Sequence, residues 1–233
     1  MKLRLQITKD RSIRFISHLE YARTLMRAVL RAKLPVAYSE GFNPHMKLSL
    51  ASALGVGVVS QAEFVEMELK EPVPPAEAAL KLRRALPAGI RVVTADAVED
   101  HAPALMSVAG GATYQVVVPA ANPDKIFQAI GAFNEAGSLP FIKKAPKTKA
   151  GVKEIDVKFY IPHLEAELQD GKLTLRFDCR ITPAGSMKAV DLVNALNKQY
   201  ELELPVELAD IERLDLYRVD DLGRHEPMLA GAQ

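Results

Sequence analysis

Residues 14–50, RFISHLEYARTLMRAVLRAKLPVAYSEGFNPHMKLSL, hold a helix and a turn from which the rest of the chain is read. Ser17 stands just ahead of a run with helical periodicity, and Glu20 follows three residues later, the spacing of a capping box. Leu19, Ala22, Met26, Val29 and Leu30 recur at helical spacing and form one expected apolar face; Pro35 ends the helix near Lys33. Arg23, Arg27 and Arg31 recur every fourth residue, so a cationic stripe is expected beside that face, with Lys33 prolonging it. Such a stripe suits phosphates. It equally serves as a solvated face whose last-turn cations complement the helix macrodipole.

The segment after the helix is more unusual. VAYSEG is expected to be a short strand, and Gly41-Phe42-Asn43-Pro44-His45-Met46-Lys47 then places a permissive glycine, an aromatic, an Asn-Pro turn, an imidazole and an amine in succession. Asn43, His45 and Lys47 beside three arginines suit a phosphate or a nucleobase, with Phe42 as a stacking surface. The alternative puts Phe42 in the core and His45 at a strand end.

RFISHLEYARTLMRAVLRAKLPVAYSEGFNPHMKLSLASALGVG resembles the N-terminal signature of the radical-SAM-associated (radical-SAM-linked) protein family, a bacterial family of uncharacterised function. Arg14, Phe15, Ser17, His18, Leu19, Arg23, Arg27, Pro35, Gly41, Phe42, Asn43, Pro44, His45 and Lys47 carry the resemblance. KTKAGVKEIDVKFYI and IERLDLY extend it over nearly the whole chain. Glu20 stands where the pattern has Asp, and Met46 where it has a second proline; the latter bears on how His45 is positioned. Members occur alone or as a C-terminal extension of a cobalamin-binding radical SAM protein. The resemblance therefore implies a radical SAM protein as partner and, through neighbouring genes in some bacteria, a connection with RNA processing and ribosomal components.

Composition narrows the chemistry. The chain has 233 residues, 48% hydrophobic and 25% charged, ordinary values for a globular protein with one large or two small domains. Net charge is only +1, so any nucleic-acid surface must come from local clustering. MKLRLQITKDR lacks the apolar core of a signal peptide and no segment is apolar over membrane-spanning length, so no membrane contact and a cytoplasmic location are expected. The single cysteine, Cys179, excludes an internal disulfide and cannot supply the three thiolates of a radical SAM cluster. His18, His45, His101, His163 and His225 show no metal-ligand spacing, and phosphate-loop and dinucleotide fingerprints are missing; neither metal nor cofactor is expected.

Element order points to an α+β protein of two tandem ferredoxin-like (split βαβ) halves with antiparallel sheets. In the first, residues 1–100, MKLRLQIT and the start of RSIRFIS suggest a strand or hairpin, followed by the signature helix. VAYSEG, MKLSLASAL and EFVEMELK are strand candidates, AEAALKLRRALP a helix and IRVVTADAV a strand. Residues 99–112 read as a linker or an exposed connection, or in part as an added edge strand. The second half, 112–219, repeats the pattern with TYQVVVP, a helix opened by Asn122-Pro123, strands PFIKK, EIDVKFYI, LEAELQ and KLTLRFDCRI, a helix capped by Ser186, and ADIERLDLYRV; 220–233 is expected to be a flexible tail. Lys143, Lys144, Lys147, Lys149, Lys153 and Lys158 make KKAPKTKAGVKEIDVK a cationic hairpin suited to a polyanion, or to solubility and a blunted sheet edge.

These features favour a non-catalytic accessory protein that binds RNA or a ribonucleoprotein substrate and works with a separate radical SAM enzyme. Its expected contacts are Arg23, Arg27, Arg31, Phe42, Asn43, His45 and Lys47, assisted by Lys143, Lys144, Lys147 and Lys149. One alternative is a metal-independent endoribonuclease in which His18 and His45 meet across neighbouring strands and act as acid and base. Another is a purely protein-binding adaptor.

Overall fold

The computed structural model describes residues 1–144 and 151–230. It is a mixed α+β structure, and its contacts divide it into two units, 1–110 with the residues from Asp215 onward, and 111–214.

Unit 1 contains β1 (Lys2–Lys9), α1 (His18–Arg31), β2 (Leu48–Leu50), β3 (Val58–Glu68), α2 (Pro75–Ala85), β4 (Val92–Val98) and α3 (Leu105–Val108). β1 lies between β3 and β4, antiparallel to both, with Leu5 opposite Val65 on one side and Ala95 on the other. β2 pairs antiparallel with the far end of β3. Leu3, Leu5 and Ile7 of β1 and Val65 and Met67 of β3 pack against Tyr21, Leu25 and Val29 of α1 and Ala78, Ala79 and Leu82 of α2, forming one apolar core.

Which face of α1 enters that core differs from expectation. Tyr21, Leu25, Ala28 and Val29 are buried, whereas Leu19 and Leu30 are 57% and 55% exposed. At about 100° per residue the buried four span one side of the helix, and Leu19 and Leu30 fall on the other, next to Arg23 and Arg27. Two further expectations change. RSIRFIS is a 3-10 turn (Arg11–Ile13) and a loop rather than a strand, and VAYSEG contributes only isolated bridges, Val36 with Leu69 and Tyr38 with Met46.

Unit 2 contains β5 (Gly111–Pro119), α4 (Pro123–Glu135), β6 (Pro140–Lys144), β7 (Val152–Asp156), α5 (Val157–Tyr160), β8 (Glu165–Gln169), β9 (Lys172–Thr182), β10 (Gly185–Ser186) and α6 (Ala189–Tyr200). β11 (Asp210–Val219) begins in this unit and ends in unit 1, where β12 (His225–Pro227) pairs with it. β9 pairs antiparallel with β5, β8 and β10, and β6 with β7 form a separate hairpin. Asn122 caps α4 as its sequence suggests, its Oδ1 accepting from Lys125 N at 3.3 Å. Ser186 does not cap α6: it pairs with Ile181 in β10, and Lys188 occupies the cap without a side-chain bond. EIDVKFYI is likewise half strand and half helical turn, because Asp156 accepts from Lys158 N at 3.0 Å and starts α5.

The boundaries drawn from sequence, 1–100, 112–219 and 220–233, differ from the division at Gly110/Gly111 and Leu214/Asp215. The stretch read as a linker holds α3, whose Leu105 is fully buried, and Lys2 Nζ donates to Ala102 O at 2.9 Å. The expected flexible tail is paired through β12, and Met228 and Leu229 are buried. Asp220 closes the turn before it by accepting from Leu222 N and Arg224 N at 2.9 and 2.8 Å.

Cys179 sits buried on β9, and burial pushes its thiol up to about 11. At pH 8 its thiolate fraction is then about 100-fold below that of a thiol titrating near 9, so Cys179 in the native chain will react with a disulfide reagent more than about 100-fold slower than in the denatured chain. Equal rates would show that β9 does not enclose it.

Candidate functional site

α1 is fixed at its start by three sets of interactions. The first is the expected capping box: Ser17 Oγ accepts from Glu20 N at 3.2 Å, and Glu20 Oε2 accepts from Ser17 N at 2.8 Å. The second is Tyr21 Oη, which donates to Thr8 O at 2.8 Å and whose phenol is pushed up by burial. The third is the ammonium of Lys9, an inward-pointing cation buried at the end of β1. It donates to Arg14 O at 2.9 Å and Ile16 O at 3.3 Å; burial lowers its pKa, and the Glu63 carboxylate opposes that shift.

The loop pinned by Lys9 turns its side chains outward. Phe15 is 69% exposed, and the Arg14 guanidinium lies 4.7 Å from the centre of its ring. Gly57 N donates to Arg14 O at 2.8 Å, bringing exposed Val56 alongside. Gly57 lies against the edge of the Phe15 ring, and Leu19 in the first turn of α1 is exposed on the outer face of the helix, so Phe15, Val56 and Leu19 give the start of α1 an exposed apolar platform. Reading Phe15 as part of a strand and Leu19 as core hid this platform; the one signal for it was Phe15, Leu19, Arg23 and Arg27 at four-residue intervals.

The arginine stripe is divided in use. Arg23 and Arg27 are exposed, Arg23 with Glu20 as its charged neighbour, and Arg27 has no hydrogen bond or ion pair among the described residues. Arg31 instead closes α2: its Nε and an Nη donate to Ala85 O at 3.1 and 2.8 Å, satisfying a terminal carbonyl. Lys33 is exposed and takes the left-handed conformation (φ 52°) that turns the chain out of α1.

Beyond α1 the signature turn is the tip of a small hairpin. Ala37 N donates to Glu68 O and Lys47 N to Ala37 O, at 2.8 and 2.9 Å. Ser39 N donates to His45 O at 2.8 Å, and His45 N donates to Ser39 Oγ at 2.9 Å. Gly41, at φ 113°, makes the reversal, a backbone that L side chains rarely adopt. Phe42 is fully exposed at the tip, Asn43 and His45 are exposed, and Met46 packs against the core of unit 1. Lys47 Nζ is paired with Glu68 Oε2 at 2.6 Å, and this bond holds its pKa above the usual lysine value.

His18 and His45 are not brought together. Tyr21 ties the first turn of α1 to Thr8, while the hairpin is rooted on Glu68, which pairs with Lys2. Six residues of β1 separate those anchor points, about 20 Å at 3.4 Å per residue. The two imidazoles therefore stand at opposite ends of the strand, outside the reach that acid–base catalysis requires.

The lysine-rich stretch also divides. Lys143 pairs with Asp191 at the start of α6, Nζ to Oδ2 3.4 Å. Lys158 closes α4: its Nζ donates to Phe133 O at 2.9 Å and lies 4.5 Å from the Phe133 ring centre. Lys153 faces Lys143 across the β6–β7 ladder and is exposed. Lys144 is the last residue of β6, and Lys147 and Lys149 lie outside the described residues. Among the described residues no group of three His, Cys, Asp or Glu side chains is placed to hold a metal ion, and no helix is long and apolar enough to cross a membrane.

Residues 2–192 match the family described as "Uncharacterized protein conserved in bacteria (DUF2344)". The chain belongs to that family. Its matched span takes in α1, the hairpin and both ends of the Lys9 network. No curated protein matches. Among solved structures, a chain of "Crystal Structure of a Cbf5-Nop10-Gar1 Complex" is similar at 12% identity and TM-score 0.50; the match covers 94% of this chain but only half of that one, and it speaks to the fold alone. "Crystal Structure of an Unknown Protein from Galdieria sulphuraria" matches at 13% identity over 91% of this chain and 97% of that one, with TM-score 0.24.

The capping box gives this DUF2344 member a measurable acid response. Its hydrogen bonds to Ser17 hold the Glu20 carboxyl below its ordinary value of 4.5. A depressed folded-state pKa adds stability above the unfolded value that is lost as pH falls through the folded one. Ser17→Ala will lower stability by about 1 kcal/mol at neutral pH. In denaturant titrations, the wild type will lose the contribution of the Glu20–Ser17 N bond as pH falls below about 4.5 through the lowered folded-state pKa, and Glu20→Gln will flatten that part of the profile.

Proposed function

We propose that this chain is a non-catalytic accessory protein that binds RNA, or a ribonucleoprotein substrate, on the outer face of α1 and works with a separate radical SAM enzyme. The observation that carries the proposal is the exposed Arg23–Arg27 pair beside the Phe15–Leu19 platform. Cations one turn apart on a fixed helix suit successive phosphates, and uncovered apolar side chains suit bases. Arg23 and Arg27 outnumber the ionised Glu20 carboxylate, so the face is net positive although the chain as a whole is nearly neutral. The scaffold we read behind it is ferredoxin-like, supported in unit 1 by β4, β1, β3 and β2 lying side by side in that order.

The radical SAM partner rests on the signature residues, and the hairpin is the element suited to meet it. A fully exposed phenyl on a turn braced by paired backbone bonds is a preformed anchor for a pocket on a protein. The purely protein-binding alternative draws on the same observation. The nuclease reading gains nothing from the separated imidazoles.

Two substitutions separate these roles. Arg27→Ala will weaken binding to cellular or ribosomal RNA by about tenfold, and will reduce the slope of log K against log salt by about 0.7 to 0.9, one phosphate contact. The RNA will remain intact in every sample. Phe42→Ala will leave RNA binding unchanged and reduce co-purification of a radical SAM protein in a pulldown at high salt. RNA affinity unaffected by Arg27→Ala, or specific cleavage that survives chelation, defeats the accessory reading.

A further inference from the structure

The geometry around Phe15 points to the form of RNA this face takes. We infer that Phe15 is a base-stacking platform and that the ligand of the α1 face is single-stranded RNA; the inference rests on the RNA-binding reading above. One face of the Phe15 ring is covered by the Arg14 guanidinium, 4.7 Å from the ring centre, and the side chain is nevertheless 69% exposed. At that exposure much of the side chain is left accessible to a planar group. A base laid on it completes a base–phenyl–guanidinium stack, an arrangement favoured by the electrostatics of both contacts.

The neighbourhood fits a strand with unpaired bases. Leu19, in the first turn of α1, and Val56, next to the Gly57 that lies against the Phe15 ring, are 57% and 60% exposed, so apolar surface at the helix start extends beyond one ring. Arg23 and Arg27 continue from it along α1 and are positioned for the phosphates that follow the stacked base. In a duplex the base faces are already stacked and only phosphates and groove edges are presented, so Phe15, Leu19 and Val56 would remain uncovered. A single strand satisfies both halves of the surface at once.

The platform is held rigidly. Lys9 pins the carbonyls on either side of Phe15, Arg14 O and Ile16 O, and Gly57 N bonds Arg14 O a second time. A preformed platform adds stacking without the cost of ordering its loop.

The chain contains no tryptophan, so Phe15→Trp places the chain's one indole at the site, excited selectively beyond the absorption of its six tyrosines. The full-length variant is titrated with a short unstructured RNA, the same RNA annealed to its complement, and DNA of the same sequence. Phe15→Ala and Arg27→Ala are compared with wild type by anisotropy of the labelled strands. The expected result is quenching of the introduced indole's fluorescence by single-stranded RNA, binding at least about tenfold tighter than to the duplex, and a loss of about tenfold on Phe15→Ala that Phe15→Trp does not show. Phe15→Ala should keep the wild-type melting temperature, because the ring is outside the core.

Unchanged affinity in Phe15→Ala while Arg27→Ala still weakens binding overturns the stacking platform and leaves the RNA reading standing. Duplex bound as tightly as single strand does the same. DNA bound more tightly than RNA overturns RNA as the ligand, and no binding to any of the three removes both inferences.

Discussion

The candidate surface depends on one buried cation. Lys9 ends β1 with its side chain inside unit 1, where an ammonium without partners costs several kcal/mol. The chain meets this cost by bending Arg14 and Ile16 so that both carbonyls face the Nζ. Glu63, itself buried and accepting from Ser60 Oγ at 2.7 Å, supplies the compensating charge nearby. With the two flanking carbonyls turned inward, the Phe15 side chain between them goes outward. An exposed aromatic is thus the other side of satisfying a buried charge.

The same arrangement fixes the rotation of α1. Tyr21 reaches Thr8 O, the carbonyl just before Lys9, so helix and loop are tied to one end of one strand. Once Tyr21 faces inward, helical periodicity carries Leu25, Ala28 and Val29 with it and sends Leu19, Arg23 and Arg27 to solvent. Arg31, on the edge of that outer face, is close enough to α2 to bond Ala85 O and becomes structural. Cations four residues apart in sequence therefore differ in availability because a second helix ends beside only one of them.

This explains what was legible beforehand. The capping box, the extents of α1, α2 and α4 and the strand character of β1, β4, β5 and β11 follow from local chemistry: side chains bonding nearby backbone, prolines opening helices, alternation in strands. The rotation of α1 was not legible, since Leu19-Ala22-Met26-Val29-Leu30 and Tyr21-Leu25-Ala28-Val29 both have helical spacing. Long-range contacts select between them, the Tyr21–Thr8 bond across 13 residues of sequence and the packing of Leu25 and Val29 on β1 and α2. Nothing in the sequence marks Lys9 as a buried anchor, because its partners are backbone carbonyls, which carry no residue-type signal. The spacing of His18 and His45 failed as a guide for the reverse reason: the hairpin leaves the sheet at Glu68, at the opposite end of β1 from the start of α1.

Charge pairing sorts the remaining cations. Lys47 is held by Glu68, Lys143 by Asp191 and Lys158 by the end of α4, so charges that seem available in sequence already have work within their own units. With the chain nearly neutral overall, an anion must be recognised by cations that are not already paired within their own unit. Arg27, without a bond among the described residues, and Arg23 lie one turn apart on one exposed face of α1. In the proposed reading, their location on the helix whose first turn carries exposed Leu19 makes the α1 face the place where an anionic and a planar group are recognised together.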